Sequence, residues 1–313
     1  MSTNLSQAQI RQMIKTLSAS MIEAPIFSEY GLEVLRITAQ NRSKISQKDE
    51  LKRFKALCKF FGEMRVSDIT PDVILEWQNG LTISSKTIRS YRGTLSTILK
   101  NSLANGYLGD NPLVYTKPPR KENKKVVVFT NDEIEKILIS STGQFHNILE
   151  FNLFEGLRGC ELIALRWSDV AFEKGRISIN KRIRESEEEL PKGYKTRVIQ
   201  LMPQAQEALL RQWEITGTKD YVFLTNKGTP YTTQDTLSKR LRKLCKTVGI
   251  APRSFHTIRR TCNTIYKQKG LNSAWILQQL GHSGEQVNQE HYTGHIDLSD
   301  DDIERFKRET IFS

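Results

Sequence analysis

The run from Ser254 to Tyr292 restricts the fold and chemistry of this chain more than any other stretch. His256 and Arg259 lie three residues apart, so a helix would place them on one face. A second histidine, His282, follows in a Leu-Gly-His sequence, and Tyr292 closes the run among polar neighbours. The segment therefore combines cationic, imidazole and phenolic side chains, a set suited to phosphodiester chemistry.

Two further basic residues lie upstream, Arg158 in EGLRGCELIALRW and Lys192 in PKGYKTRVIQL. Transesterification of a phosphodiester needs a nucleophile, a clamp for the charged oxygens and a proton for the leaving oxygen. Guanidinium is planar, permanently charged and bidentate toward phosphate, so Arg158 and Arg259 are the candidate clamp. An ion pair between Arg158 and Glu161 at a helix end is the structural alternative, and it is compatible with that function.

Together these segments resemble the tyrosine recombinase (phage integrase) family over roughly residues 40–300. The family's motifs occur here in the family's order: Gly-Leu-Arg-x-x-Glu-Leu-x-x-Leu-x-Trp, a hairpin lysine motif, His-x-x-Arg, Leu-Gly-His and a tyrosine. The chain departs from the pattern at Pro191, which replaces the first glycine of the hairpin motif, and in a spacing from His282 to Tyr292 that is one residue longer.

The resemblance implies a role for each motif residue. Tyr292 would form a covalent phosphotyrosine bond, and Lys192, the first lysine of the hairpin motif, would protonate the 5′-oxygen. The histidines would contact the scissile phosphate and handle the tyrosine proton. The predicted catalytic set is Arg158, Lys192, His256, Arg259, His282 and the nucleophile Tyr292, with Glu161 in support.

The pattern of apolar residues predicts a mainly α protein with a small β-hairpin or sheet in an α+β catalytic domain. Four regions are expected: an N-terminal segment 1–27 with a short helix over 5–18, a helical domain 28–112, a basic linker 113–128, and a catalytic domain 129–313. By resemblance, 28–112 is a SAM-like core-binding domain, and the two domains form a C-shaped DNA clamp.

Within the second domain the pattern predicts a hairpin that pairs 176–180 with 197–201. Helices are predicted around it, over 131–139, 144–155, 159–166, 203–214, 232–247, 256–268, 273–280 and 300–310. In the first domain, Thr70-Pro71 marks a helix start, and a long helix spans 85–105.

A formal net charge of +12 and a pI near 9.5 favour a polyanionic partner, because basic surfaces attract phosphate. Two helices carry the candidate DNA-binding residues: Lys86, Arg89 and Arg92 on the first, and Lys239, Arg240, Arg242 and Lys243 on the second. A solvated helix face remains the alternative for each set.

We expect no cofactor and no metal. His291 and His295 are four residues apart, but Thr293-Gly294 disfavours a helix between them, and no thiol or carboxylate pattern completes a site. The four cysteines are scattered and contain no Cys-x-x-Cys, which is typical of reduced core residues. No apolar stretch of membrane-spanning length and no secretory signal occur, so we expect a cytoplasmic, nucleoid-associated protein.

The resemblance implies a site-specific recombinase that acts on double-stranded DNA through a 3′-phosphotyrosine, as a homotetramer on two synapsed duplexes. Host or element-encoded DNA-bending factors are expected accessory partners. Integration or excision of a phage or mobile element is the favoured role, and Xer-type resolution of chromosome dimers is the alternative. Two other classes stay open: a non-catalytic DNA-binding regulator with this fold, and a type IB topoisomerase-like relaxing enzyme.

Overall fold

The chain divides into two compact units, Met1–Lys124 and Lys125–Ser313. This division falls inside the segment 113–128 that the sequence marks as a linker. The computed structural model describes Ser6 and residues 23–120, 126–191 and 196–281.

Two predicted helices, over 5–18 and 300–310, lie outside the described residues apart from Ser6. In the part of the chain that is described, no helix combines the length and the apolar character that crossing a membrane requires.

The described part of the first unit contains four α-helices joined by short turns: α1 Phe27–Thr38, α2 Lys44–Phe61, α3 Pro71–Asn79 and α4 Ser85–Ala104. The Thr70 hydroxyl accepts the backbone N–H of Val73 at 3.4 Å, and Pro71 opens α3, as the sequence indicates. Ser84 caps α4 in the same way through Thr87 at 3.2 Å.

Aromatic rings fill the core of this unit. Phe27 packs against Phe54 and Phe61 with ring centroids 5.8 and 5.6 Å apart, and Trp77 lies 5.4 Å from Phe61. Gly31 lets α1 approach α2 closely, since a Cβ there would lie 2.4 Å from the ring of Phe54. The packed bundle leaves the basic faces of α2 and α4 on the outside.

The second unit contains seven helices in its described part: α5 Asn131–Ile139, α6 Gly143–Glu155, α7 Gly159–Leu162, α8 Pro203–Thr216, α9 Asp235–Thr247, α10 His256–Gln268 and α11 Ser273–Leu280. The prediction of a helix over 159–166 was wrong beyond its first turn. Leu165 accepts the backbone N–H of Val222 at 2.9 Å, and Trp167 donates to Asp220 at 3.0 Å. The backbone there pairs with a distant segment instead of continuing the helix.

A three-stranded antiparallel sheet lies among these helices, with strands β1 Val170–Ala171, β2 Arg176–Ile179 and β5 Arg197–Gln200 in the order β1-β2-β5. Ile177 pairs with Ile199, and both side chains are buried. The predicted pairing of the two segments is therefore present, and the mainly helical fold class with a small sheet is confirmed.

A second hairpin, β3 Arg182–Arg184 with β4 Glu187–Glu189, lies between β2 and β5 and was not predicted. Its β4 strand is three glutamates and has no apolar alternation. Ion pairs hold it instead: Arg182 with Glu189 and Arg166 with Glu188, each at 2.8 Å.

Replacing Ser186 by glycine should stabilise the protein. Glu185 and Ser186 form the two-residue turn of this hairpin with φ of 49° and 71°, a conformation that glycine adopts without strain. We expect Ser186→Gly to raise the unfolding free energy by about 0.5 kcal/mol, because relief of left-handed strain exceeds the added chain entropy. Urea unfolding measures this. The control, Ser186→Ala, keeps the strain and should match wild type, and equal values for both variants would contradict the prediction.

Candidate active site

A sharp reversal of the chain at the end of α6 brings Arg158 into the site. Gly156 ends that helix in the left-handed region with φ of 61°. A Cβ at this position would lie 2.5 Å from Leu280 and 2.9 Å from the sulfur of Cys262, so the packing admits only glycine. Arg158 follows two residues later, as the residue before the single turn of α7.

Glu161 holds two arginines at once. Arg158 Nη1 donates to its Oε1 at 2.8 Å, and Arg197 Nη2 donates to its Oε2 at 2.8 Å. The carboxylate is buried, and burial alone would raise its pKa. Hydrogen bonds and positive charge from Arg197, and then from Arg158, outweigh burial and lower the pKa of Glu161 to about 2. The carboxylate therefore stays ionised and fixes both guanidinium groups.

Arg259 lies on α10 and is only 2% exposed. Its Nη1 donates to the carbonyl of Gly156 at 2.9 Å, and its Nη2 donates to the carbonyl of Leu280. Burial, and next the charge of Arg158, lower the pKa of Arg259 to about 9, so the group remains charged at neutral pH. The influence of Arg158 on this pKa places the two arginines in one electrostatic site.

The end of α11 is the common anchor of this site. Arg158 Nη2 donates to the carbonyl of Gly281 at 2.6 Å, next to the carbonyl of Leu280 that Arg259 uses. The last carbonyls of a helix carry partial negative charge, which suits two cations. Gly281 is left-handed with φ of 64°, and a Cβ there would lie 2.9 Å from the guanidinium of Arg197. Leucine and glycine of the Leu-Gly-His motif thus act through their backbone.

His256 is the first residue of α10 and is accessible to solvent, one turn before Arg259. Loss of water around the ring, and then the charges of Arg260, Arg259 and Arg158, lower the pKa of His256. Its imidazole is therefore neutral at pH 7 and able to accept a proton.

The structure brings together Arg158, Glu161, His256 and Arg259 as the sequence predicts them to be grouped. The other three predicted catalytic residues, Lys192, His282 and Tyr292, lie outside the described residues.

Comparison with known proteins places the chain in a family. The sequence model of the phage integrase family matches residues 127–297, more than half of the chain. The chain belongs to the phage integrase family. Its members cut and rejoin DNA, so the protein is a tyrosine-type site-specific DNA recombinase.

Curated relatives include both phage-type and Xer-type recombinases. The recombinase is 27% identical over 298 residues to a XerC-like tyrosine recombinase of Caldanaerobacter subterraneus subsp. tengcongensis, covering 83% of this chain and 76% of the relative. It is 26% identical to the prophage integrase IntR of Escherichia coli K12, covering 69% of this chain and 59% of that protein.

Solved structures support the fold. A lambda integrase tetramer bound to a Holliday junction superposes with a TM-score of 0.73 at 19% identity, covering 93% of this chain and 88% of that one. A Tn1549 transposon integrase in complex with a circular intermediate DNA superposes with a TM-score of 0.74 at 17% identity, covering 89% and 98%.

No role was predicted for Arg197 from the sequence, although it matches the trailing basic residue of the hairpin motif. In the recombinase this residue opens β5 and shares Glu161 with Arg158. Only the tertiary structure shows that β5 lies against the arginine pair, so motif position was the one signal in the sequence.

The candidate DNA-binding residues of the first unit separate by exposure. Lys86 is exposed and Arg89 is half-buried. Arg92 was expected on the outer face of the helix, but it is buried. Arg92 is 8% exposed and donates to the carbonyl of Thr116 at 2.8 Å and to Gln78 at 3.0 Å. Its placement as a surface contact is corrected: Gln78 at the end of α3 and Thr116 in the segment after α4 accept its N–H groups.

A cleft between α2 and α4 lies beside Lys86. It has a volume of about 330 Å³, and Lys52 and Arg53 line it together with Lys86. No interface role was predicted for Lys52 and Arg53 from the sequence.

The candidate residues of the second unit all lie on α9, whose apolar face is buried through Leu237 and Leu241. Arg240 is half-buried, donates to Asn226 at 3.0 Å and lies 4.3 Å above the ring of Phe145. The other three are exposed: Lys239, Arg242 and Lys243.

Replacing Glu161 by glutamine should change how stability depends on pH. The pKa of Glu161 is about 2 in the folded chain against an ordinary value of 4.5. Its contribution to the free energy of unfolding is therefore present above pH 4.5 and is lost as the pH falls toward 2. We expect wild type to lose about 3 kcal/mol from this group over that range, whereas Glu161→Gln loses none of it.

Urea unfolding at pH 2–6 measures the free energy of unfolding of both proteins. The difference between wild type and Glu161→Gln should narrow as the pH falls. Glu207→Gln, at an exposed position of α8, is the control and should run parallel to wild type. A gap of constant size between wild type and Glu161→Gln would contradict the prediction.

Proposed function

We propose that the recombinase cleaves one DNA strand by attack of the Tyr292 oxygen on phosphorus. The bond from phosphorus to the 5′-oxygen breaks, Lys192 protonates that oxygen, and a 3′-phosphotyrosine remains. Arg158 and Arg259 hold the non-bridging oxygens, and His256 and His282 contact the phosphate. Neutral His256 takes the phenolic proton.

The observation that carries this proposal is the shared anchoring of two arginines on one helix end. Each guanidinium has five N–H groups. Within the described residues, Nη1 and Nη2 of each of the two arginines donate the hydrogen bonds given above. Each Nη nitrogen carries a second N–H group that can donate to a phosphate oxygen. Groups fixed in advance in this way stabilise charge that develops in the transition state without rearrangement.

We further propose that double-stranded DNA contacts two basic surfaces. The first consists of Lys86, Arg89 and the cleft between α2 and α4, and the second consists of the exposed cations of α9. Two protomers would bind one duplex, and two duplexes would synapse as a tetramer. The lambda integrase tetramer on a Holliday junction supports that assembly by its matching fold. Such a protein acts in the cytoplasm at the nucleoid, with DNA-bending accessory factors.

Integration or excision of a phage or mobile element is the role we favour. The similarity to a prophage integrase and the fold shared with a transposon integrase support it. A chromosome-dimer resolvase is the second candidate, supported by the XerC-like relative that covers 83% of this chain. Cleavage of DNA that flanks the gene favours the first role, and cleavage confined to a chromosomal resolution site favours the second.

Covalent trapping tests the nucleophile. Wild type, incubated with nicked and labelled duplexes from the DNA flanking its gene, should form an adduct that resists SDS, because the nick lets the cleaved fragment escape. Tyr292→Phe should bind the same DNA and form no adduct.

The matched control is Tyr266→Phe, a buried tyrosine of α10 that should still form the adduct. An adduct with Tyr292→Phe would assign the nucleophile elsewhere. Specific binding without any adduct from wild type would favour the non-catalytic regulator.

The chemistry also predicts independence from metal. Phosphotyrosine formation conserves the phosphodiester bond energy and relies on fixed guanidinium charge, so a chelator should change the cleavage rate less than about twofold. Single-turnover cleavage in EDTA and in Mg²⁺ measures this, with a metal-dependent nuclease as the control for chelation. Cleavage abolished by EDTA alone would count against the mechanism.

A further inference from the structure

A buried carboxyl group that the proposed chemistry does not use lies directly behind the arginine site. Glu155 is the last residue of α6, fully buried, and precedes the Gly156 carbonyl that accepts Arg259. Its Oε1 accepts the backbone N–H of Met202 at 2.8 Å, and its Oε2 accepts Gln279 Nε2 at 2.9 Å. Glu155 therefore links α6 to the chain after β5 and to α11.

Gln279 completes this link through two hydrogen bonds to the backbone of Gln200, one accepted and one donated. Its Oε1 accepts the N–H of Gln200 at 3.0 Å, and its Nε2 donates to the carbonyl of Gln200 at 2.7 Å. Within the described residues β5 pairs only with β2, so its second edge faces these side chains. Glu155 and Gln279 satisfy the backbone of Gln200 and Met202 there, as a neighbouring strand would.

The same two side chains connect the parts of the candidate active site. Gln279 directly precedes Leu280 and Gly281, whose carbonyls hold the two arginines, and its own carbonyl accepts Arg197 Nε at 3.3 Å. The strand that it binds begins at Arg197 and follows the segment that contains Lys192. The position of the strand relative to the helix end thus depends on this pair.

The charge state of Glu155 is sensitive to pH near neutrality. Burial raises the pKa of Glu155 to about 8, although the N–H groups of Met202 and Gln279 favour the carboxylate. The ionisable groups that face it lie on α10: Cys262 and Tyr266, whose pKa values burial raises, and beyond them Arg259. Above pH 8 the pair therefore gains a buried negative charge next to the Arg259 anchor.

We propose that Glu155 and Gln279 are positioning residues for DNA cleavage, which set the end of α11 and its two arginines against strand β5. This inference rests on the proposed cleavage function. It predicts that loss of the pair slows the cleavage step much more than it weakens DNA binding, because the basic surfaces of α2, α4 and α9 supply most of the proposed phosphate contacts.

Gln279→Met tests the inference with a matched control. Methionine keeps the length of the side chain and removes both bonds to Gln200 and the bond to Glu155. Gln212 is an equally buried glutamine of the same unit, bonded to Gln144, Thr216 and Val222, so Gln212→Met removes a comparable set of bonds away from the arginines. Both variants should lower the melting temperature.

Only Gln279→Met should slow adduct formation, by about 10- to 100-fold at unchanged DNA affinity, as expected for displaced catalytic groups. The measurement is single-turnover adduct formation on the nicked duplex, well below the melting temperature of each variant. Equal rates for the two variants would overturn the proposal.

Glu155→Gln separates a positioning role from a merely structural one, because only the positioning role predicts a change in how the cleavage rate depends on pH. Glutamine keeps an acceptor for Met202 and cannot ionise. Wild-type cleavage should decline as the pH rises through about 8, and this part of the decline should be absent from the variant, whatever its maximal rate. Profiles that differ only by a constant factor would overturn the proposal.

Failure of the inference differs from failure of the proposed function. If wild type forms the Tyr292 adduct and Gln279→Met forms it as fast as Gln212→Met, only the positioning role is lost. If wild type forms no adduct on DNA that it binds, the cleavage function itself is wrong.

Discussion

The active site depends on holding two like charges side by side before any phosphate is present. Burial, and next the positive charge of Arg158, lower the pKa of Arg259, because two cations repel each other in a poorly solvated space. Isolated buried charges are costly, so each guanidinium needs a partner. One carboxylate, Glu161, and the carbonyls at the ends of α6 and α11 supply that compensation.

Backbone carbonyls are the larger part of this arrangement, which explains why two glycines are essential to it. Gly156 and Gly281 end their helices in the left-handed region, and each lies too close to a neighbour to carry a side chain. The acceptors that they present are set by helix geometry and not by rotamers. An arginine held in this way keeps its orientation with little side-chain freedom, as a preorganised phosphate site requires.

Local chemistry was predictable from the sequence, and long-range contacts were not. Thr130 and Glu133 have capping-box spacing, and both bonds of the box are present, because caps involve neighbours in the chain. Helical periodicity places Arg92 outside the apolar stripe of α4, yet its side chain is buried, and Thr116, which follows the helix in the chain, accepts its N–H groups. Similarly, β4 has no apolar alternation, and its ion pairs join it to Arg182 on the neighbouring strand and to the more distant Arg166.

The candidate site shows the same limit. Arg158, His256 and Arg259 were found because their motifs are contiguous in sequence. Arg197 and Glu155 belong to the site through tertiary contacts with Glu161 and Gln279, and no periodic pattern marks such contacts.

The charges of the hydrogen-bonded cluster match the reaction that it is proposed to perform. Three guanidinium groups, Arg158, Arg197 and Arg259, face one ionised carboxylate, Glu161, which leaves a surplus of two positive charges. A phosphodiester carries one negative charge, and the pentacoordinate state formed by phenolate attack carries two. The surplus is therefore better matched to the transition state than to the bound substrate, which is the condition for lowering the barrier. A protonated Glu155 preserves this surplus, and its ionisation beside the Arg259 anchor would reduce it.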